Sequence, residues 1–165
     1  MNQGVSLEAL VVSRCIRDRC TVATAESCTG GLISHRITNV PGASAIFLGG
    51  ITAYANAIKT GLLGVPKEAL AAAGAVSEAV AEAMALGARE RFGADFSVAV
   101  TGIAGPGGGT PEKPVGTVCL AAAGPAALRV RRERFAGDRD AVKAQTAEAA
   151  LALLLEVMEG AGHEH

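Results

Sequence analysis

Apolar residues recur along this chain with two periods, one helical and one extended. Leu7, Leu10, Val11 and Cys15 fall at i, i+3, i+4 and i+8 behind Ser6, with Arg14, Arg17, Asp18 and Arg19 off the stripe. That spacing predicts an amphipathic helix over residues 6–18. Thr21 to Ala25 is short and β-prone, and Ile33, Ile37 and Val40 resume helical spacing, so the segment reads as strand, tight turn and helix. Either Ser27 or Thr29 would cap that helix. After Pro41-Gly42, Ala45 to Ala55 predicts a second strand with a bend or close contact at Gly49-Gly50.

Residues 56–63 and 67–73 predict short helices parted by Gly64-Val65-Pro66, and Ser77 caps a longer helix reaching Phe92. Ser97 to Thr101 predicts a strand with Phe96, Val98 and Val100 on one face, running into a glycine-rich stretch that ends at Gly109. Val115 to Ala123 predicts a strongly apolar, central strand. Leu128 to Phe135 carries four arginines and suits an exposed edge, and Gly137-Asp138 opens a helix over 139–158.

Strands interleaved with helices imply an α/β protein, a three-layer α/β/α sandwich formed as a single domain over residues 1–165. The hairpin-like return over 115–135 makes the sheet mixed, though mainly parallel. Half of the residues are apolar but only 3 % are aromatic, so the core must be built from Ala, Val, Leu and Ile.

A net charge of -1 supplies no field to draw the chain to nucleic acid or to a membrane surface, and aromatic stacking platforms are scarce. No apolar run reaches bilayer length. Neither nucleic acid nor membrane is expected as a partner. Cys15, Cys20, Cys28 and Cys119 lack CxxC spacing and no signal-peptide pattern is read before them, so a reducing cytoplasm is the expected compartment. The closing His163-Glu164-His165 reads as a frayed tail and not as a ligand pair.

Chemistry concentrates after the first strand, where Ser27 and Cys28 are both possible nucleophiles. In open α/β sheets the ends of the strands are where ligands bind. By position alone Ser27 reads equally as a helix cap and as a catalyst. A serine nucleophile needs a base. His35, about two helical turns beyond Ser27, should point outward beside Arg36, which excludes a Ser-His-Asp triad. A lysine with a lowered pKa is the alternative, and of Lys59, Lys67, Lys113 and Lys143 the best setting belongs to Lys59, five residues after the single tyrosine. From spacing alone, however, Lys59 is a solvated helix lysine. The glycine stretch after Thr101 fits neither a Walker loop nor a dinucleotide fingerprint, and leaves a loop whose N–H groups can close around an anion or oxyanion.

Taken together, Ala25-Glu26-Ser27-Cys28-Thr29-Gly30-Gly31, Val40-Pro41-Gly42-Ala43-Ser44, Tyr54 to Lys59, Gly74 to Glu78, Thr101 to Pro106 with Lys113 to Thr117, and Gly137-Asp138-Arg139 resemble the nicotinamide-nucleotide amidohydrolase family. The same family occurs as the C-terminal domain of CinA proteins. The resemblance spans residues 20–145 and implies deamidation of nicotinamide mononucleotide to nicotinic acid mononucleotide and ammonia, without a metal or other cofactor. It implies Ser27 as nucleophile, Lys59 as general base and Tyr54 as a partner in a proton relay.

Oxyanion contacts are expected from the backbone near Cys28 to Gly31 or from the Thr101 loop. Cys28, Thr29, Gly30, Gly31, Thr101, Gly102, Gly105 and Arg139 are the expected substrate contacts, with Arg139 suited to a phosphate. Many relatives carry Ser-Asn-Glu where this chain has Ala55-Asn56-Ala57, which removes a hydroxyl and a carboxylate near Lys59. A homodimer is expected. Two rivals stay open, a Cys28 nucleophile and a non-catalytic nucleotide-binding module.

Overall fold

In the computed structural model, which describes residues 4–161, helix α1 (Leu7–Asp18) leads into strand β1 (Val22–Glu26), helix α2 (Leu32–Thr38), a 3₁₀ turn (Ala43–Ala45) and strand β2 (Phe47–Thr52). Helices α3 (Asn56–Leu63), α4 (Lys67–Ala73) and α5 (Glu78–Phe92) follow, then β3 (Phe96–Gly102), β4 (Thr117–Ala123), β5 (Leu128–Arg134) and α6 (Arg139–Gly160). The His163-Glu164-His165 tail lies outside the described residues. None of the described helices is long and apolar enough to cross a membrane.

The strands form one sheet in the order β2-β1-β3-β4-β5. β1 pairs in parallel with both β2 and β3, whereas β3–β4 and β4–β5 are antiparallel. Four strands therefore run one way and β4 alone runs against them. The chain leaves β1 for β2 on one side and then crosses to β3 on the other, so the switch in direction falls at the end of β1. Open α/β sheets place their ligand crevices at such a switch.

Alternation along the strands divides the core in two. Val22, Val98, Val100, Val118 and Leu120 face α1, α2 and α6. Ala25, Ala99, Cys119 and Ala121 face the other way, onto Val80, Met84 and Ala88 of α5. This is the period-2 consequence of the pleat, and it yields the three expected layers.

The helix caps follow local chemistry. Ser6, Ser77 and Asp138 accept from Ala9, Val80 and Ala141 N–H at 3.3, 3.2 and 2.9 Å. At Gly50, any side chain would run into Thr24 Oγ1, and the β1–β2 register slips at Leu48, just before Gly49, so the irregularity and the close contact fall at either end of the glycine pair.

Two expectations need correction. β4 is not central; β3 is, and β4 reads as a core strand because helices α5 and α6 bury it on both faces. Nor does α2 begin at Ser27 or Thr29. It begins at Leu32 behind Gly31, since another side chain supplies the cap.

Candidate active site

That side chain is Glu26, the last residue of β1 and only 1 % exposed. Its Oε1 accepts from Thr29 Oγ1 at 2.7 Å and Ile33 N–H at 2.8 Å, and its Oε2 from Ser34 N–H at 3.0 Å and Ser34 Oγ at 2.8 Å. One buried carboxylate thus satisfies two of the otherwise unpaired N–H groups of the first helical turn. The chain between 27 and 31 is left to wrap around it. Gly30 and Gly31 take φ of 63° and 108°, the left-handed values this turn needs.

Ser27 follows directly. Its N–H donates to Val100 O at 3.1 Å, extending the β1–β3 pairing by one residue and fixing the serine over the sheet. On the other side Ala53 N–H donates to Glu26 O at 2.8 Å, extending the β1–β2 pairing in the same way. The two extensions hold Ser27 and the Ala53-Tyr54 segment side by side, and α3 starts immediately after it. Ala55 occupies the α3 N-cap without a side-chain bond.

Lys59, on the first turns of α3, is directed back into this gap. Its Nζ lies 3.0 Å from Ser27 Oγ, 2.8 Å from Ala53 O and 3.0 Å from Tyr54 O, and the side chain is 1 % exposed. Burial holds the Lys59 ammonium below the ordinary lysine range. The two carbonyls are acceptors only and require two N–H bonds. As an ammonium Lys59 donates to Ser27 Oγ and to both carbonyls; in its neutral form, with its two N–H groups on the carbonyls, its lone pair faces Ser27 Oγ.

Above the pair opens a cleft of about 290 Å³, close to the lower end of the range of roughly 300–1,000 Å³ usual for small-molecule sites. Ser27, Cys28, Tyr54, Thr101, Gly102 and Arg139 line it, together with the loop through Gly105. Thr101 Oγ1 donates to Ala75 O at 2.9 Å, tying the end of β3 to the loop before α5. Arg139 Nη1 donates to Gly105 O at 2.7 Å, and Nη2 to Tyr54 Oη at 3.3 Å. Among the described residues no group of three or more His, Cys, Asp or Glu is placed to hold a metal ion.

Several sequence expectations shift. Thr29, Gly30 and Gly31 do not line the cleft; they shape the turn around Glu26. Gly30 N–H is occupied by Ser27 O at 3.1 Å, so it is not an open oxyanion donor. The Tyr54 hydroxyl meets Arg139, and only the Tyr54 carbonyl meets Lys59, which gives the tyrosine side chain a place at the cleft mouth instead of in a relay to Lys59. Burial pushes the Cys28 thiol up to about 12, contrary to the activation expected at a helix start, because the helix begins four residues later. His35 is exposed and bonded to Asn39, away from the site.

The sequence reading passed over Asn56, Ala75 and Val76, which also line the cleft. Asn56 follows Tyr54 closely enough to have been suspected. Ala75 and Val76 carry no chemical signal.

A family model described as the CinA C-terminal domain matches residues 5–158. The CinA-like protein of Chlorobaculum tepidum is 54% identical over 156 residues, covering 92% of this chain and 37% of that protein. The CinA-like protein of an Anaeromyxobacter species is 56% identical over 148 residues, covering 90% and 36%. The chain therefore spans little more than a third of the length of these curated relatives.

Among solved structures, the competence/damage inducible protein CihA from Agrobacterium tumefaciens superposes with a TM-score of 0.86 at 40% identity, over 95% of this chain and 99% of that one. A CinA superfamily protein from Klebsiella pneumoniae gives 0.89 at 35% identity, over 93% and 96%.

Proposed function

The chain belongs to the CinA C-terminal domain family, and from that premise we propose that it is a nicotinamide-nucleotide amidase, converting nicotinamide mononucleotide and water to nicotinic acid mononucleotide and ammonia. The observation that carries this reading is the buried Lys59 Nζ at 3.0 Å from Ser27 Oγ, with two carbonyls on its other bonds.

Ser27 Oγ attacks the carboxamide carbon while Lys59 accepts the hydroxyl proton. The carbonyl oxygen becomes an oxyanion. Cys28 N–H, which donates to no main-chain carbonyl among the described residues, is the nearest backbone donor in sequence to receive it. On collapse the C–N bond breaks, Lys59 returns the proton to the leaving nitrogen, and ammonia departs from a nicotinoyl ester on Ser27. Water then attacks the ester, Lys59 takes its proton, and Ser27 leaves with that proton as the acid is released. Arg139, planar and always charged, suits the 5′-phosphate.

The test is incubation of the purified chain with nicotinamide mononucleotide, with ammonia and nicotinic acid mononucleotide measured together. Their release in equal amounts supports the reading. Nucleotide binding without release favours the regulatory-module alternative.

A further inference from the structure

We propose that Lys113 is a positioning residue, a strut from the glycine-rich loop that fixes the wall of the cleft carrying Ala75 and Val76 and thereby sets substrate affinity; the inference rests on the amidase reading above. Ala75 and Val76 line one side of the cleft, and Gly105, Gly107 and Gly108 of the loop line another. Lys113 does not line the cleft itself. It acts through the segment it holds.

That segment connects α4 to α5, and neither Ala75 nor Val76 makes a main-chain hydrogen bond among the described residues. Side chains hold it instead, one on each of three consecutive carbonyls. Lys113 Nζ donates to Ala73 O, Ser77 Oγ to Gly74 O at 2.8 Å and Thr101 Oγ1 to Ala75 O at 2.9 Å. Ser77 belongs to the same connection and Thr101 to β3, so of the three only Lys113 reaches across from the loop.

Both ends of the strut are fixed. Ala73 is the last residue of α4, and a carbonyl left unpaired at a helix C-terminus favours a lysine. The half-buried side chain fits closely there, since a Cβ on Gly74 would sit 3.2 Å from Lys113 Nζ. At the base, Thr110 N–H donates to Lys113 O at 2.8 Å and Lys113 N–H to Thr110 Oγ1 at 3.0 Å, which closes a turn under the lysine. Ser27 and Lys59 are held from elsewhere, by extension of the β1 pairings and by the carbonyls of Ala53 and Tyr54. Loss of the strut therefore loosens the wall and not the reacting pair, and weakens binding more than chemistry.

Steady-state kinetics on nicotinamide mononucleotide and amide hydrogen exchange of wild type, Lys113→Met and Lys113→Arg test the proposal. Methionine removes the donor and keeps an apolar stem. In Lys113→Met, KM rises about tenfold, kcat changes by less than about threefold, and exchange in residues 74–77 quickens about tenfold. Lys113→Arg, which keeps a charged donor, restores both. An unchanged KM in Lys113→Met overturns the proposal whether or not exchange changes. A joint fall in kcat and melting temperature that Lys113→Arg does not restore also overturns it, because that is the mark of general destabilisation.

If wild type releases no ammonia, it is the amidase reading that has failed, and the strut is judged by exchange alone. Faster exchange of residues 74–77 in Lys113→Met, restored in Lys113→Arg, supports it and equal exchange overturns it.

Discussion

Lys59 Nζ and Ser27 Oγ lie 3.0 Å apart although 32 residues separate them. The contact is built from main-chain pairing. Ser27 is pinned to β3 through Val100 O, Ala53 is pinned to β1 through Glu26 O, and the carbonyls of Ala53 and Tyr54 draw the lysine inward.

Lys59 must lose a proton before it can accept one from Ser27. Burial lowers its pKa from the ordinary 10.5, so the base form, and with it kcat/KM, grows with rising pH along a limb whose midpoint lies below that of a free lysine. A profile measured from about pH 6 to 10 checks this. A midpoint at the free-lysine value would mean that the ammonium is not desolvated.

Cys28→Ala keeps kcat/KM within about fivefold of wild type, since a thiol held at about 12 is scarcely ionised near neutrality. Loss of about a thousandfold in this variant, with Ser27→Ala active, would transfer the nucleophile's role to the cysteine.

Glu26→Ala leaves four donors without their acceptor and costs about 3 kcal/mol or more. Thermal unfolding then shifts down by about 6–12 °C for a domain of this size. Activity falls too, because the turn that presents Ser27 is wrapped around this carboxylate. A melting curve unchanged by the substitution would remove Glu26 from that role.

Gly87→Ala places a Cβ against Leu63 O, backbone at the end of α3, and so pushes away the helix that carries Lys59. The expected cost is about 1–3 kcal/mol with a fall in kcat/KM. Gly61→Ala is the control: nothing lies within 4 Å of its added Cβ, and alanine there stabilises the helix by about 0.5–1 kcal/mol. Equal behaviour of the two variants in melting and activity would break the link between α5 packing and the site.

Much of the fold was legible because its signals are local. Ser6, Ser77 and Asp138 each cap the helix they immediately precede, and the arginines over 128–135 mark a strand that is exposed as the sheet's edge. The start of α2 was not legible, because its cap comes from Glu26 across a five-residue turn, a distance that spacing rules do not cover. The place of β4 was missed because apolar composition reports burial on both faces and not rank within the sheet.

At the site, Ser27, Cys28, Lys59, Thr101, Gly102, Gly105 and Arg139 do converge on one cleft. The burial of Lys59 was hidden because its partners, besides Ser27, are carbonyl oxygens that every residue has. The turn residues Thr29 to Gly31 carried the family pattern for a structural reason and were read as contacts. The contact of the Tyr54 hydroxyl with Arg139 was not legible, since five residues of sequence separation from Lys59 says nothing about which way the ring points.

The most direct measurement is the rate of ammonia release from nicotinamide mononucleotide by wild type, Ser27→Ala and Lys59→Met, with folding of each checked by circular dichroism. Wild type turns over, and each folded variant loses at least about a thousandfold in kcat. Turnover in Ser27→Ala equal to wild type, or no ammonia from wild type at concentrations where it binds the nucleotide, contradicts the Ser27–Lys59 amidase.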